Sequence, residues 1–204
     1  MTTMLQADVP SPINFLQLSD AQEWERTAMD RPFRLDMFQS ISDSLATHDS
    51  QKVLELGSGP GFLAKYLLTS MPQASMTLLD FSSAMHSLAK KRLGKLIKKV
   101  SFLTKNFKTS GWNQGIGEFD AVISNQSVHE LRHKRHAETL HNQVKQVLSR
   151  DGIYLVCDHF FGKGGLENDQ LFMTVEEQTR SLVGAGFKTK VLLQLGSLVL
   201  IRAT

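Results

Sequence analysis

Two hydrophobic rhythms alternate along the chain. Short apolar runs at Val53–Leu56, Met76–Asp80, Val100–Leu103 and Phe119–Ser124 read as buried strands, and between them apolar residues recur at three- and four-residue spacing, as one face of a helix requires. Before the first strand, Ser19 followed by Gln22 forms a capping-box pattern that predicts a helix through Met29. Asp30 with Pro32 starts a second helix, whose residues Leu35, Phe38, Ile41 and Leu45 share one face. Residues 1–18, with Pro10 and Pro12 and no period, read as a mobile arm, and residues 19–49 as a helical lead-in that covers a sheet edge or closes over a ligand. Pro72 ends the helix that follows the first strand, and Ser82 or Ser83 caps the one after the second. Ala137–Leu148 predicts a further helix, followed by a turn and a fifth strand within RDGIYLVCD. Thr174 with Glu177 opens the last helix, which ends at GAGF, and Lys188–Gln194 and Ser197–Arg202 alternate as a closing hairpin.

A chain of 204 residues with this apolar content can bury one sizeable core, so a single α/β domain is expected, with its core from residue 50 to 204. No apolar run is long enough to cross a bilayer, and MTTMLQADVPSP lacks the basic and apolar regions of a signal peptide, so a cytoplasmic protein without a membrane partner is expected. One cysteine, Cys157, excludes an internal disulfide and a cysteine-rich metal site. A net charge of +3 neither demands nor excludes a nucleic-acid partner.

The candidate chemistry centres on VLELGSGPGFLAKYLL, where a strand runs through Gly57, Gly59 and Gly61 directly into a helix. Glycines there permit positive φ and close approach of a ligand to the backbone. The spacing lacks the last glycine of G-x-G-x-x-G, since Phe62 stands there, so a dinucleotide pyrophosphate fits poorly. Glu55, near the strand's carboxyl end, suits a ligand ammonium better than a phosphate. Asp80 ends the second strand, where open α/β sheets bind ligands, and a carboxylate there can accept hydrogen bonds from both hydroxyls of a ribose.

ELGSGPG resembles the first motif of the class I, Rossmann-like S-adenosylmethionine-dependent methyltransferases, and LDFSSAMHSLAKKRL resembles their second. The resemblance covers roughly residues 50–204. It implies a three-layer α/β/α fold of five β-α units and a terminal hairpin, with a seven-stranded mixed sheet in the order 3-2-1-4-5-7-6. It also implies S-adenosyl-L-methionine as cofactor and S-adenosyl-L-homocysteine as product. By the same resemblance Asp80 holds the ribose and Phe81 flanks the adenine, with Ser58, Phe107 and Asn125 as further cofactor contacts. Asn106 stands where the family commonly has an acid against the adenine amine, and its carbonyl can still accept that hydrogen bond without charge. A homodimer is compatible with the family.

FDAVISNQSVHEL resembles the fourth motif of the small-molecule members, beside the reactive methyl group. No NPPY or DPPY string appears, as amino-group methylation of adenine or glutamine would require. His129–His133, HELRH, formally matches the zinc pattern H-E-x-x-H, but the third ligand of the longer motif is missing, with Thr139 in its place, so no metal is expected. His129 is then either a general base or a packed residue. Asp158 and His159 emerge at the end of the fifth strand, where either could orient or deprotonate a nucleophile, or merely cap a turn. Arg132 to His136 read as a solvated face. Phe160–Met173, with three glycines, reads as a substrate-side lid with Phe160, Phe161 and Phe172 as walls.

The expected activity is methyl transfer to a small-molecule acceptor by in-line displacement, with His129, His159 and Asp158 handling the proton. Two alternatives stand beside it. An RNA methyltransferase could use the six basic residues of Ala89–Lys99, although these lie away from the acceptor side, and a cofactor-binding protein without transferase activity would need only the glycine turn.

Overall fold

Alternation of apolar residues along each strand sends successive side chains to opposite sheet faces, so a strand buried on both faces must be apolar throughout. β1 (Lys52–Leu56), β2 (Ser75–Asp80), β4 (Phe119–Asn125) and the later part of β5 (Leu148–His159) come close to that condition, the edge strand β3 (Val100–Thr104) is only half-buried, and all five run parallel, while β6 (Thr189–Leu195) and β7 (Leu198–Ala203) close the sheet as a hairpin. The order is β3-β2-β1-β4-β5-β7-β6, with β7 antiparallel to both neighbours, as the resemblance implies. The computed structural model describes residues 7–204.

Val53, Ala121, Ile123, Ile153, Leu155 and Cys157 face one core under α2 (Arg34–Thr47) and α3 (Phe62–Ser70). Leu54, Leu56, Val122, Tyr154 and Val156 face the other, under α5 (Ala137–Lys145) and α6 (Val175–Gly184). α1 (Leu18–Ala28) packs through Ala21 on α4 (Ser83–Leu93), completing the first layer. Among the described residues, no helix is long and apolar enough to cross a membrane.

Several local expectations change. The Ser19–Gln22 capping box does not form: the N-cap of α1 is Gln17, and the Ser19 hydroxyl bonds Asp20 instead. α2 begins at Arg34, because Phe33 before it takes a left-handed φ of 62° that a helix cannot continue through. Leu35 is exposed, and Met37 takes its place on the buried face. The fifth helix stops at Lys145, since Leu148–Arg150 already belong to β5, where Leu148 pairs with Phe119. The β3–β4 connection carries turns in place of a helix, so the five β-α units are one helix short. Its buried Trp112 donates from Nε1 to Gln143 of α5 and fills that layer. The Thr174–Glu177 box forms with both of its hydrogen bonds, and Ser82 caps α4 by accepting from Met85 N–H.

The first six residues of the expected arm lie outside the described ones. Residues 7–17 do not hang free. Asp8 meets Arg135, His136 and Lys108, and Arg132 donates to the carbonyls of Val9 and Pro10 at 3.0 and 2.7 Å. Ser82 Oγ donates to the carbonyl of Phe15 at 2.5 Å. The segment is a strap laid across the carboxyl ends of the strands. Arg132 to His136 are therefore not a solvated face: Arg132 is buried, Arg135 and His136 clasp Asp8, and Lys134 pairs with Glu177.

Candidate functional site

The sheet order reverses between β1 and β4, and the loops that leave these two strands touch there. Gly57 has φ +65°, and a Cβ on it would lie 2.6 Å from Ser127 Cβ, so both conformation and space demand glycine. Ser127 Oγ donates to the Leu56 carbonyl at 2.7 Å, which pins the β4 loop to the end of β1. Gly59 has φ +52° with nothing within 4 Å of where its Cβ would stand, so its backbone faces open space. Gly61 has a different task. It packs α3 against Ala89 of α4, 3.1 Å from a notional Cβ, and does not line the cavity.

That open space is a cavity of about 390 Å³. It is lined by Glu55, Gly57, Ser58, Gly59, Asp80, Phe81, Asn106, Phe107, Asn125, His129 and His159, which are all the expected site residues except Gly61 and Asp158. Asp158 stands one layer behind, reaching the cavity through His129.

Asp80 accepts from Gly59 N–H at 2.8 Å and from Ser82 N–H at 2.9 Å, tying the glycine loop to the start of α4. Burial raises its pKa to about 6 against those two hydrogen bonds. Burial, and then Asp80, raises Glu55 to about 8. Glu55 Oε2, Ser58 Oγ and Asn125 Oδ1 are buried without a partner. Unpaired buried polar atoms are costly, so a ring of them around an open cavity fits a polar ligand. An adenosyl amino acid suits this set: a carboxylate at the end of β2 for ribose hydroxyls, Phe81 and Phe107 for a flat base, and an acid beside a bare glycine backbone for the amino-acid part. Asn106 departs from its expected part, because its carbonyl already accepts from Lys108 N–H at 2.9 Å and only its remaining lone pair and amide are free for a base.

His129 sits in a 3-10 turn, Val128–Leu131, ended by Arg132 at φ 66°, so HELRH is not one helical face. Its Nδ1 lies 2.6 Å from Asp158 Oδ1, and its N–H donates to Asp158 Oδ2 at 3.0 Å. Glu130 Oε1 lies 3.4 Å from Nε2. Burial disfavours the charged imidazole, but Asp158 and then Glu130 outweigh it and raise the His129 pKa. Burial pushes the Asp158 carboxyl up, and His129 more than reverses this, so Asp158 is held below its ordinary value. Burial lowers His159, whose Nδ1 lies 2.9 Å from Ser197 Oγ. Phe172 packs against both imidazoles, at 5.5 Å from His129 and 5.9 Å from His159. The expected lid thus backs the histidines. Phe160, Phe161 and Phe172 do not line the main cavity.

Sequence reasoning missed four contributors. Glu130 carried a signal, standing next to His129 in the chain. Trp24 and the Arg31/Arg34 pair belong to the lead-in, for which closing over a ligand was one of two expected roles, but nothing local singled them out, and the strap residues Ser11–Leu16 carried no signal, because only folding brings them over the sheet. The strap yields a prediction. Arg132→Met keeps the stem but removes two charge-assisted hydrogen bonds, and amide exchange at Val9, whose N–H donates to the Arg132 carbonyl, should accelerate by about tenfold or more. Unchanged exchange at Val9 would show that Arg132 does not hold the strap.

Residues 53–152 match the family model described as a methyltransferase domain. A malonyl-[acyl-carrier protein] O-methyltransferase of Anoxybacillus flavithermus is 31% identical over 85 residues, covering 38% of this chain and 33% of that protein. The chain spans less than half the length of such curated relatives. An O-methyltransferase family protein from Burkholderia thailandensis superposes with TM-score 0.78 at 18% identity, over 93% of this chain and 60% of its own. Human N-acetylserotonin methyltransferase, solved in complex with SAM, superposes with TM-score 0.73 at 16% identity, over 92% and 56%. At such identities the likeness establishes the fold, that of the class I, S-adenosylmethionine-dependent methyltransferases, and the family model identifies residues 53–152 as a methyltransferase domain.

Proposed function

We propose that this domain transfers the methyl group of S-adenosylmethionine to a nucleophilic atom of a small-molecule acceptor, with His129 as the proton acceptor. The observation that carries the reading is the His129–Asp158 pair opening into the same cavity as the glycine loop. When bound, the cofactor supplies a methyl group on a positively charged sulfur, which an aligned nucleophile can displace. Gly59 leaves room for its amino-acid part, which Glu55 faces, Gly57 lets Ser127 close up beside the turn, Asp80 holds the ribose, and Phe81, Phe107 and Asn106 frame the base. His129 Nε2 takes the proton from the acceptor, and Asp158 at Nδ1 fixes the tautomer and stabilises the imidazolium that forms. The strap and Trp24 cover the cavity and exclude water.

A small acceptor is supported by the cavity's limited volume, about 390 Å³, and its partly aromatic walls. Of the six basic residues in Ala89–Lys99, on which an RNA substrate would depend, three are engaged within the fold: Arg92 pairs with Glu25 and donates to the Pro60 carbonyl, Lys90 lies over Phe102, and Lys99 bonds the Pro72 carbonyl. Incubation with methyl-labelled S-adenosylmethionine and either metabolite extract or total RNA tests the reading. Label is expected in small molecules. Label confined to RNA, or none at all, would overturn it.

Glu55 adds a pH dependence. Its carboxyl is protonated in the free site up to about pH 8, whereas a ligand ammonium beside it favours the carboxylate. The free site therefore holds a proton that the loaded site sheds. Affinity for S-adenosylhomocysteine should rise with pH from the ordinary carboxylate range to about 8 and flatten above it. Calorimetry in buffers of different ionisation enthalpy should detect proton release at pH 6–7, and its absence would place the ammonium elsewhere.

A further inference from the structure

The lead-in helices bring two arginines to the cavity that the proposed reaction does not use. Arg34 is 5% exposed; its Nη2 donates to Gln126 Oε1 at 2.8 Å, and its Nε is buried without any acceptor. Arg31 reaches the same cavity. Among the described residues neither guanidinium forms an ion pair, whereas Arg26, Arg92, Arg132 and Arg135 each meet a carboxylate. Both guanidiniums lie by the Trp24 ring, at 4.9 and 5.8 Å from its centroid.

Two like charges on one ring are unfavourable unless something negative joins them. The backbone adds to the excess. Arg34 is the first residue of the 14-residue α2, whose free N–H groups carry the positive end of the helix dipole, and Phe33 at the N-cap offers them no side-chain acceptor. Burial, and then Arg31, lowers the Arg34 pKa to about 10, in keeping with a buried cation that has no carboxylate beside it. Gln126 holds the guanidinium from a left-handed backbone, φ 54°, that a glutamine rarely adopts. The side chain is thus aimed, buried, half-bonded and lacking its anion. The three acids of the cavity do not supply one: Asp80 is bonded to Gly59 and Ser82, Glu130 to His129 and Arg132, and Glu55, whose buried carboxyl holds its proton, forms no ion pair with either arginine.

We propose that Arg34 and Arg31 form a carboxylate-binding site within the cavity. The guanidinium forks match a carboxylate in geometry, and the neighbouring Trp24 and Phe38 suit an organic body carrying it. The inference rests on the methyl-transfer reading, and that reaction brings in two sources of the group: the amino-acid end of the cofactor, or a carboxylate on the acceptor.

Calorimetry with wild type, Arg34→Gln and Arg31→Gln separates them. The probes are S-adenosylhomocysteine, which has the carboxylate, and 5′-methylthioadenosine, which lacks it. A second pair, 3-phenylpropionate and its amide, is titrated in the presence of S-adenosylhomocysteine. Arg34→Gln is expected to weaken the carboxylate-bearing probe by about 10- to 100-fold and to leave its uncharged counterpart unchanged. A loss confined to S-adenosylhomocysteine assigns the site to the cofactor. A wild-type preference for 3-phenylpropionate over its amide, erased in Arg34→Gln, assigns it to the acceptor. The exposed Arg31→Gln should shift the same probe in the same direction, and it carries the test if Arg34→Gln does not fold. Wild type that binds S-adenosylhomocysteine, with folded variants that move neither pair, overturns the inference and leaves the methyl-transfer reading intact. Wild type that binds neither nucleoside overturns that reading and this inference with it.

Discussion

His129→Ala is expected to lower kcat by on the order of 10²- to 10⁴-fold, the usual worth of a positioned general base. Affinity for S-adenosylhomocysteine should stay within about twofold, because the lost interaction belongs to the transition state rather than to the bound cofactor. The pair geometry supports this split: Asp158 engages both Nδ1 and the N–H of His129, and Nε2, 3.4 Å from Glu130 Oε1, is the ring nitrogen that Asp158 leaves unbound. Its pH dependence follows from the raised pKa. A base must be neutral to act, and Asp158 and Glu130 keep His129 protonated through the neutral range, so kcat/KM of the wild type should climb as pH rises toward the alkaline side. Asp158→Asn removes the buried charge and should shift that climb to lower pH while reducing its plateau. An unchanged rate in His129→Ala would remove it as the base. Equal losses of rate and of cofactor affinity would mark it as a packing residue.

The second large effect is expected at Asp80. Alanine there should weaken S-adenosylhomocysteine and 5′-methylthioadenosine alike by on the order of 1–3 kcal/mol, since both carry the ribose. Part of that loss is indirect. Asp80 accepts from Gly59 and Ser82, so its removal strands two N–H groups and frees the glycine loop from α4. Asp80→Asn separates the two contributions. The amide keeps one oxygen for an N–H but turns its NH₂ toward the other donor, so it should disturb the loop and bind intermediately. Unchanged affinity in Asp80→Ala, measured by calorimetry, would place the ribose elsewhere.

Much of the scaffold was legible along the chain, and the reason is local. VLEL before three glycines, Ser82 before MHSL, Thr174 three residues before Glu177 and the hairpin near Gly196 are signals complete within a few residues, and each formed where expected. The misreadings have local causes of a different kind. Ser19 and Gln22 matched a capping box, but the Ser19 hydroxyl found Asp20 first. Pro32 looked like a helix start until the left-handed Phe33 intervened, and Leu148 looked helical until Phe119 claimed it for the sheet.

The sequence by itself determined the sheet, the glycine turn and the carboxylates at the ends of β1 and β2, because strand burial, positive φ and strand-end position are properties of neighbouring residues. Tertiary structure alone decided what faces the ligand. Asp158 became the partner of His129 across 29 positions, the basic stretch after it became a clasp for Asp8, and Arg34 reached Gln126 across 92 positions without meeting an acid. Such pairings depend on where the chain ends lie once the layers pack, and on which buried charges then remain unmatched, which no local pattern of residues records.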